Sequence, residues 1–244
     1  MIIDIVTIFP EFFDTFLSTS IIKRAITQQQ VNIRLHQIRD YSHHKHHNID
    51  DTPYGGGVGM LMTFPPFYDV IMKLKTEKSI VIYLSPQGKL FNQKMAKKLA
   101  QSDHLVLLCG HYEGVDARIE ALIDMEVSIG DYVLTGGEIP AMIISDAVTR
   151  LLPDVIHEDS AEEDSLQNGW LKFPQYTKPE TYKGHNVPEL LLSGHHQKIA
   201  DWRKEQQIRT TFNKRRDLIK GIKMTKEEQI ILDKVKNESK NSKD

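Results

Sequence analysis

The chain has 244 residues, of which 40% are hydrophobic and 26% charged, and it contains one cysteine; this composition excludes a disordered chain and an internal disulfide framework. The N-terminus has no basic leader, and no apolar run approaches the roughly 18 residues of a membrane span, so we expect a soluble cytoplasmic protein without a membrane partner. The net charge of −2 divides into −9 for residues 1–170 (14 Lys and Arg, 23 Asp and Glu) and +7 for residues 171–244 (17 and 10), which indicates either a polyanion partner or a solvated lysine-rich tail.

The first part of the chain alternates apolar runs with a helical pattern. Residues 2–9 form a β-rich apolar run ended by Pro10, and residues 79–84 and 104–110 have the composition of two further buried strands. Between the last two, residues 92–101 have the pattern of an amphipathic helix. A strand–helix–strand series predicts an α/β fold in which parallel strands are joined by crossover helices.

The second part of the chain changes in character. Residues 137–152 predict a helix with Pro140 in its first turn, but the residues that follow are acidic, small and polar. From about residue 195 helix-forming residues dominate, and Thr225 and Glu228 have the spacing of a capping box. We therefore expect an α/β body over residues 1–156, a flexible linker over 157–169 and a small, mostly helical, basic domain over 170–244.

Four segments of the body are rich in glycine and polar residues: DDTPYGGGVGM (50–60), YLSPQGKLF (83–91), LLCGHYEGVDAR (107–118) and SIGDYVLTGGEIPA (128–141). Glycines there allow a backbone to approach a ligand closely, and turns at the carboxyl ends of parallel strands are where open α/β sheets bind ligands. The first segment matches neither a Walker loop nor the dinucleotide fingerprint. Each segment alone is also compatible with an ordinary surface turn. No pair of basic residues marks a phosphate site, so a nucleoside-type ligand fits the set better than a nucleoside triphosphate.

Seven strings occur in a fixed order over nearly the whole chain: PYGGGVGM, YLSPQG, LCGHYEG, SIGDYVLTGGE, AEEDS, PQYTKP and LLSGHH. In order and spacing they resemble the bacterial tRNA (guanine-N1)-methyltransferases, which modify the guanosine 3′ of the anticodon, position 37. The resemblance implies an α/β, SPOUT-type trefoil-knotted methyltransferase domain with a parallel sheet and flanking helices, plus a small helical C-terminal domain. It also implies a homodimer with the active site at its interface. Ordinary topology rules argue against a knot, so the knot is expected from the resemblance alone.

The resemblance further implies that the methyl donor, S-adenosyl-L-methionine, is bound by the glycine-rich segments. The expected donor-binding residues are Tyr83, Leu84, Ser85, Pro86, Gly110, Tyr112, Glu113, Gly114, Ser128, Ile129, Gly130, Asp131, Tyr132, Val133, Leu134, Gly136, Gly137 and Pro140. No metal ligand is assigned, and the sequence leaves open whether the reaction requires Mg²⁺.

Methylation of guanine N1 requires two kinds of side chain. N1 carries a proton at neutral pH, so a general base must remove it, and a cation would stabilise the negative charge that then develops on O6. The resemblance implies that Asp164 is the base and that Arg150 is the cation. Without the resemblance, Asp164 would be interpreted as one acid of a solvated linker and Arg150 as a surface residue on a last helical turn.

The resemblance also implies that the anticodon stem-loop of tRNA is the partner. Expected contacts in the body are Asp50, Tyr54, Gly55, Gly56, Gly57 and Gly59. Those expected in the basic domain are His185, Lys198, Arg203 and Arg209, with Lys204, Lys214, Arg215 and Arg216 as further phosphate contacts.

Two histidine features stay without a role. The cluster from His43 to His47 is interpreted as a solvated loop or a phosphate contact rather than a metal site, because no third ligand is placed. His111 stands where some relatives have arginine. Two alternative functions remain: a SPOUT-type methyltransferase acting on a different RNA base, and a non-catalytic RNA-binding module.

Overall fold

The computed structural model describes residues 1–156 and 164–241. The chain divides into two compact units, Met1–His157 and Glu158–Asp244. Of the expected linker, residues 157–163 lie outside the described residues, whereas residues 164–169 form turns that lead to the buried Trp170. Among the helices of the described residues, none is both long and apolar enough to cross a membrane.

The first unit is built on five parallel strands. They are β1 (Ile2–Thr7), β2 (Asn32–Gln37), β5 (Ser79–Leu90), β6 (His104–Cys109) and β7 (Met125–Ser128), and two short antiparallel strands, β3 (Asp50–Asp51) and β4 (Leu61–Met62), form a separate pair. The sheet order is β2-β1-β6-β5-β7. Every pairing in this sheet is parallel, which confirms the expected α/β architecture.

Helices cover both faces of the sheet, because alternate residues of its central strands are apolar on each side. They are α1 (Asp14–Ser18), α2 (Ser20–Thr27), α3 (Phe64–Leu74), α4 (Gln93–Leu99) and α5 (Glu138–Thr149), with 3-10 turns at Pro10–Phe13, Ile38–Tyr41 and Ala117–Ala121. Leu105 and Leu107 of β6 belong to a core cluster that includes residues of α2, α4 and α5, whereas Val106 and Leu108 pack with residues of α3. All of β6 is buried, as expected for the central strand of a doubly covered parallel sheet.

The segment expected to form a turn after Leu84 is instead a bulge within β5. Leu84 and Lys89 both pair with Val127 of β7, so residues 85–88 are an insertion in the ladder. Gly88 lies so close to β7 that a Cβ there would be 2.3 Å from the backbone nitrogen of Val127. The turn prediction was therefore wrong, because close packing against the neighbouring strand lets the chain continue as a strand to Leu90.

The described residues of the second unit form a hairpin and four helices. They are β8 (Thr181–Tyr182), β9 (His185–Asn186), α6 (Glu189–Leu192), α7 (His196–Lys214), α8 (Arg216–Ile219) and α9 (Lys226–Asn241). Its core forms around Trp170, Ile208 and Leu232. The capping box is confirmed: the Thr225 backbone nitrogen donates to Oε2 of Glu228 at 2.8 Å, and the Glu228 nitrogen donates to Oγ1 of Thr225 at 3.2 Å. Glu228 also accepts from the indole nitrogen of Trp170 at 2.9 Å, so the cap is tied to the core.

Candidate functional site

A cavity of about 470 Å³ lies beside the bulge of β5 and the carboxyl ends of β6 and β7. The bulge and the segments that follow β6 and β7 form its walls, and this volume lies within the range of about 300–1,000 Å³ that small-molecule sites occupy. Of the donor-binding residues expected from the sequence, all but Asp131 line the cavity. The position of these residues is thus established by the fold, whereas their role in binding a donor stays a prediction.

Several lining residues were not expected. Gln87, His111 and Thr135 lie inside the glycine-rich strings and could have been included on that ground. Glu126 and Val127 were missed because β7 was not predicted as a strand. The other unexpected residues are Val115, Ala117, Ile119 and Glu120. Among the described residues that line the cavity, three carry carboxylates, Glu113, Glu120 and Glu126, and none is a lysine or arginine. The cavity therefore favours a ligand with positive charge over one with phosphate groups.

The wall formed by residues 128–137 is held against the end of β6 by a close backbone contact. The backbone nitrogen of Gly137 donates to the carbonyl oxygen of Gly110 at 2.9 Å. A Cβ on Gly137 would lie 2.6 Å from Cα of Cys109, so only glycine allows this approach. The expected glycine at this position is thus explained by backbone packing.

Burial raises the pKa of two side chains near the cavity. It raises the pKa of Tyr83, whose hydroxyl contacts the backbone of Val115 and lines the cavity. It also raises the pKa of the Cys109 thiol well above its usual range, an effect that the nearby Glu138 carboxylate strengthens. At neutral pH both groups are uncharged. Tyr83 can therefore contribute a neutral hydroxyl to a ligand, and Cys109 packs in the core.

His111 connects several elements around the cavity. Its ring meets the rings of Phe9 and Tyr112 edge to face, with centroids 5.3 Å away in each case. Its backbone nitrogen contacts Sδ of Met62 at 3.1 Å, and it forms an isolated antiparallel bridge with Gly136. Tyr112 has a φ of +57°, a backbone conformation that is uncommon outside glycine and concentrates at functional sites.

The glycine-rich segment 50–60 is tied to the cavity wall at one end. Asp50 pairs with Met62 in the β3–β4 ladder, and the backbone nitrogen of Met62 donates to Gly114 at 2.9 Å. Gly59 packs against the side chain of Glu113. At its tip Tyr54 is fully exposed, and the remaining expected contacts of this segment, Gly55, Gly56 and Gly57, have positive φ. The segment thus presents an exposed tip next to the cavity.

The two expected catalytic residues belong to different units. Arg150 follows α5 in the first unit and is half-buried, and its backbone nitrogen donates to Asp146 at 3.0 Å. Asp164 belongs to the second unit, where its carboxylate accepts from Nζ of Lys172 at 3.5 Å. The neighbouring carboxylates Glu162 and Glu163 lie outside the described residues. The catalytic roles of Arg150 and Asp164 stay predictions.

Several of the expected phosphate contacts on α7 and α8 are engaged within their own unit. Arg209 pairs with Glu205 at 2.8 Å and with Glu238 at 2.7 Å. Lys204 pairs with Glu228, and Arg215 pairs with Asp217. The guanidinium groups of Arg203 and Arg216 lie over the rings of Phe173 and Phe212, respectively. Lys198, Lys214 and His185 are exposed. The ion pairs partly neutralise the charge of these residues, so we expect them to attract phosphate less strongly than free lysine or arginine side chains would.

The histidine cluster makes local polar contacts. His43 pairs with Asp69 at 2.6 Å, and Nδ1 of His47 lies 3.1 Å from the carbonyl oxygen of Arg39. Within residues 1–156 and 164–241, no group of three or more His, Cys, Asp or Glu side chains is placed to hold a metal ion.

Comparison with known proteins identifies the family of this chain. The family model described as tRNA (Guanine-1)-methyltransferase TrmD matches residues 1–221. The chain is 57% identical over 239 residues to the tRNA (guanine-N(1)-)-methyltransferase of Onion yellows phytoplasma, covering 98% of this chain and 99% of the relative. It is 58% identical over 237 residues to the protein of that name from Acholeplasma laidlawii (97% and 98% covered) and 50% identical over 243 residues to that from Halalkalibacterium halodurans (98% and 99%). The chain therefore belongs to the tRNA (guanine-1)-methyltransferase family.

Proposed function

We propose that the protein transfers a methyl group from S-adenosyl-L-methionine to N1 of guanosine 37, the nucleotide 3′ of the anticodon in tRNA. The observation that carries this function is the cavity beside the bulge of β5 and the carboxyl ends of β6 and β7, which is lined by the glycine-rich segments. It occurs in a chain at least half identical to proteins named tRNA (guanine-N(1)-)-methyltransferase. Since the substrate is tRNA, we place the enzyme in the cytoplasm.

The residues of the cavity fit the proposed donor. The donor carries positive charges at sulfur and at its amino group and a negative charge at its carboxylate, so its net charge is +1. Glu113, Glu120 and Glu126 supply negative charge, and none of the described lining residues is a lysine or arginine. Backbone groups of residues 110–114 and 128–137 can hydrogen-bond an adenine edge, and the neutral Tyr83 hydroxyl adds a further polar contact. When bound, the donor supplies an electrophilic methyl group on its sulfonium. No magnesium site is part of this proposal.

Asp164 and Arg150 would then carry the acceptor chemistry. The Asp164 carboxylate would accept the N1 proton of guanine and become neutral, which leaves the N1 lone pair free to attack the methyl carbon. The carbon–sulfur bond of the donor would break at the same time, and its electron pair would stay on sulfur, so that S-adenosylhomocysteine leaves. The Arg150 guanidinium stabilises the negative charge that develops on O6. The tip of segment 50–60, with Tyr54 exposed and Asp50 at its base, would hold the target nucleotide, and the second unit would bind the anticodon stem-loop.

A homodimer is supported by the apolar surface of the first unit. Tyr132, Val133, Ile139 and Ile143 are 40–88% exposed, and they belong to the cavity wall or to α5 directly after it. An exposed apolar patch beside a functional cavity is typical of a protein interface. We infer that a second copy covers this patch and that Asp164 and Arg150 of one site come from different copies.

The trefoil knot belongs to the same proposal. The chain leaves β7 at one edge of the sheet and returns within ten residues to β6 and β1, where Gly137 bonds to Gly110 and Glu138 bonds to Thr7. We infer that this crossing passes through the loop formed by the preceding strands.

Two alternatives make different predictions for the product. A relative that modifies another base or a ribose would give a different methylated nucleoside, and a non-catalytic RNA-binding module would bind tRNA and give none. The test is to incubate the protein with S-adenosyl-L-methionine and a tRNA transcript, digest the RNA, and identify the nucleosides by mass spectrometry. 1-Methylguanosine is the expected product; another methylated nucleoside, or none, contradicts the proposal.

A further inference from the structure

The hairpin formed by β8 and β9 is an exposed element that does not contribute to the core of its unit. All of residues 181–186 are exposed, and none belongs to the cluster around Trp170. Tyr182 is 61% exposed although tyrosine rings usually bury much of their area. A lone two-stranded hairpin is marginally stable in water. Because the aromatic side chains of this hairpin do not stabilise a core, we expect them to contact a binding partner.

The register of the hairpin places two aromatic residues opposite each other. Tyr182 and His185 are paired in register, so their side chains lie on one face, as neighbours across the two strands. Lys183 and Gly184 form the two-residue turn with φ values of +49° and +82°, the combination typical of a tight hairpin turn. Nζ of Lys183 lies 5.5 Å from the centroid of the Tyr182 ring. The result is an exposed pair of aromatic residues with a cation over the ring of Tyr182.

Ion pairs compensate some, but not all, of the positive charge on the described residues of the second unit. Arg209 and Lys204 on α7, and Arg215 directly after it, pair with carboxylates of the same unit. Within the part of the chain that the structure describes, Lys183 and Lys178 take part in no ion pair. The uncompensated positive charge that a polyanion would encounter thus includes the hairpin and the residues before it.

We propose that the hairpin is a stacking surface for an unpaired base of the RNA substrate, with Tyr182 and His185 against the base and Lys183 beside the backbone phosphate. Bases of single-stranded loops stack on aromatic side chains, and this contact tolerates any base. The hairpin has no aliphatic side chain, so it lacks the apolar core of a protein interface. This inference rests on the function proposed above, since it takes the RNA to be the tRNA of that reaction.

The test measures binding and kinetics for Tyr182→Ala, Tyr182→Phe and Lys183→Gln. We expect Tyr182→Ala to raise the KM and the Kd for tRNA about tenfold, because stacking is lost, with the KM for S-adenosyl-L-methionine and kcat unchanged. Tyr182→Phe retains the ring and should resemble the wild type. Lys183→Gln should reduce the slope of log affinity against log salt by about 0.7, the value for one phosphate contact on a single strand.

Matched controls separate this surface from general effects. Ile230→Ala removes a side chain that is 69% exposed on α9, and Lys236→Gln removes a cation that pairs with Asp233; both should leave the Kd for tRNA unchanged. The inference is overturned if Tyr182→Ala binds tRNA like the wild type or if Tyr182→Phe loses as much affinity as Tyr182→Ala. It is also overturned if Tyr182→Ala dissociates a dimer in sedimentation, since the hairpin would then contact protein. A wild type that forms no 1-methylguanosine would refute the proposed function, whereas the Kd for tRNA would still test the hairpin.

Discussion

The Thr7 hydroxyl donates a hydrogen bond of 2.7 Å to Oε1 of Glu138, and both side chains are buried. Thr7 ends β1 and Glu138 begins α5, so the bond joins two elements that are 131 residues apart in sequence. The other carboxylate oxygen of Glu138 and the ring of His111 both lie beside Gly136. This one carboxylate therefore links the sheet to the cavity wall formed by residues 128–137.

Removing the donor of this bond should destabilise the protein. Thr7→Val keeps the side-chain shape but leaves a buried carboxylate without its hydrogen bond, and it also removes the acceptor for the backbone nitrogen of Phe9. We expect the free energy of unfolding in urea to fall by about 1–3 kcal/mol. Thr7→Ser retains the hydroxyl and should lose much less; equal losses for the two variants would show that the hydrogen bond does not matter.

The close backbone contact at Gly137 should make this glycine necessary for donor binding. In Gly137→Ala the added methyl group would lie 2.6 Å from Cα of Cys109, so the cavity wall must move away from β6. Since overpacking costs about 1–3 kcal/mol, we expect the affinity for S-adenosyl-L-methionine to fall about tenfold, measured by titration calorimetry. Gly221→Ala is the matched control, because its methyl group would be 3.7 Å from the nearest atom. Unchanged affinity in Gly137→Ala would exclude this wall from the donor site.

The buried Asp4 carboxylate should make stability depend on pH in the acid range. Burial acts to raise its pKa, but hydrogen bonds from His36, Arg34 and His104 outweigh burial and hold the pKa of Asp4 well below its usual range. Because the pKa is lower in the folded state than in the unfolded state, ionised Asp4 stabilises the fold above about pH 4. That contribution is lost as the pH falls below the unfolded pKa of about 3.9.

Asp4→Asn tests this linkage. At pH 7 the variant should be less stable by about 3 kcal/mol, at the lower end of the range for a broken buried pair because Arg34 is 42% exposed. Below pH 4 the difference between the two proteins should shrink, which urea unfolding at pH 7, 4 and 3 would measure. A constant difference across this range would show that Asp4 does not titrate with folding.

Asp164→Asn should separate chemistry from binding. If Asp164 accepts the N1 proton, the amide cannot replace it, and kcat should fall about 10²- to 10⁴-fold while donor affinity is retained. Asp154→Asn is the matched control, since Asp154 is an exposed acid that precedes the same linker in sequence. Single-turnover methyl transfer at saturating tRNA is the measurement, and wild-type turnover by Asp164→Asn would remove Asp164 from the mechanism.

The sequence predicted those parts of the fold that depend on local apolar patterns. The strands β1, β5 and β6 are apolar runs, and β6 is buried throughout. The edge strand β2 was missed because Arg34 and His36 interrupt its pattern, and the reason for these polar residues is a buried acid on the neighbouring strand.

The sequence also predicted part of the candidate site. Its glycines stand out in the sequence because close backbone contacts need them, as at Gly137. The carboxylates Glu120 and Glu126 were missed, since their position depends on how the chain folds around β7. The roles of Asp164 and Arg150 came from the resemblance alone, because neither residue is distinctive in its local sequence.

The most direct measurement compares two tRNA transcripts that differ only at position 37, one with guanine and one with adenine. Each is incubated with the protein and S-adenosyl-L-methionine labelled in the methyl group, and the label in the RNA is counted. The proposed function predicts label in the guanine transcript, recovered as 1-methylguanosine, and none in the adenine transcript. Label in both transcripts, or in neither, would contradict methyl transfer to N1 of guanosine 37.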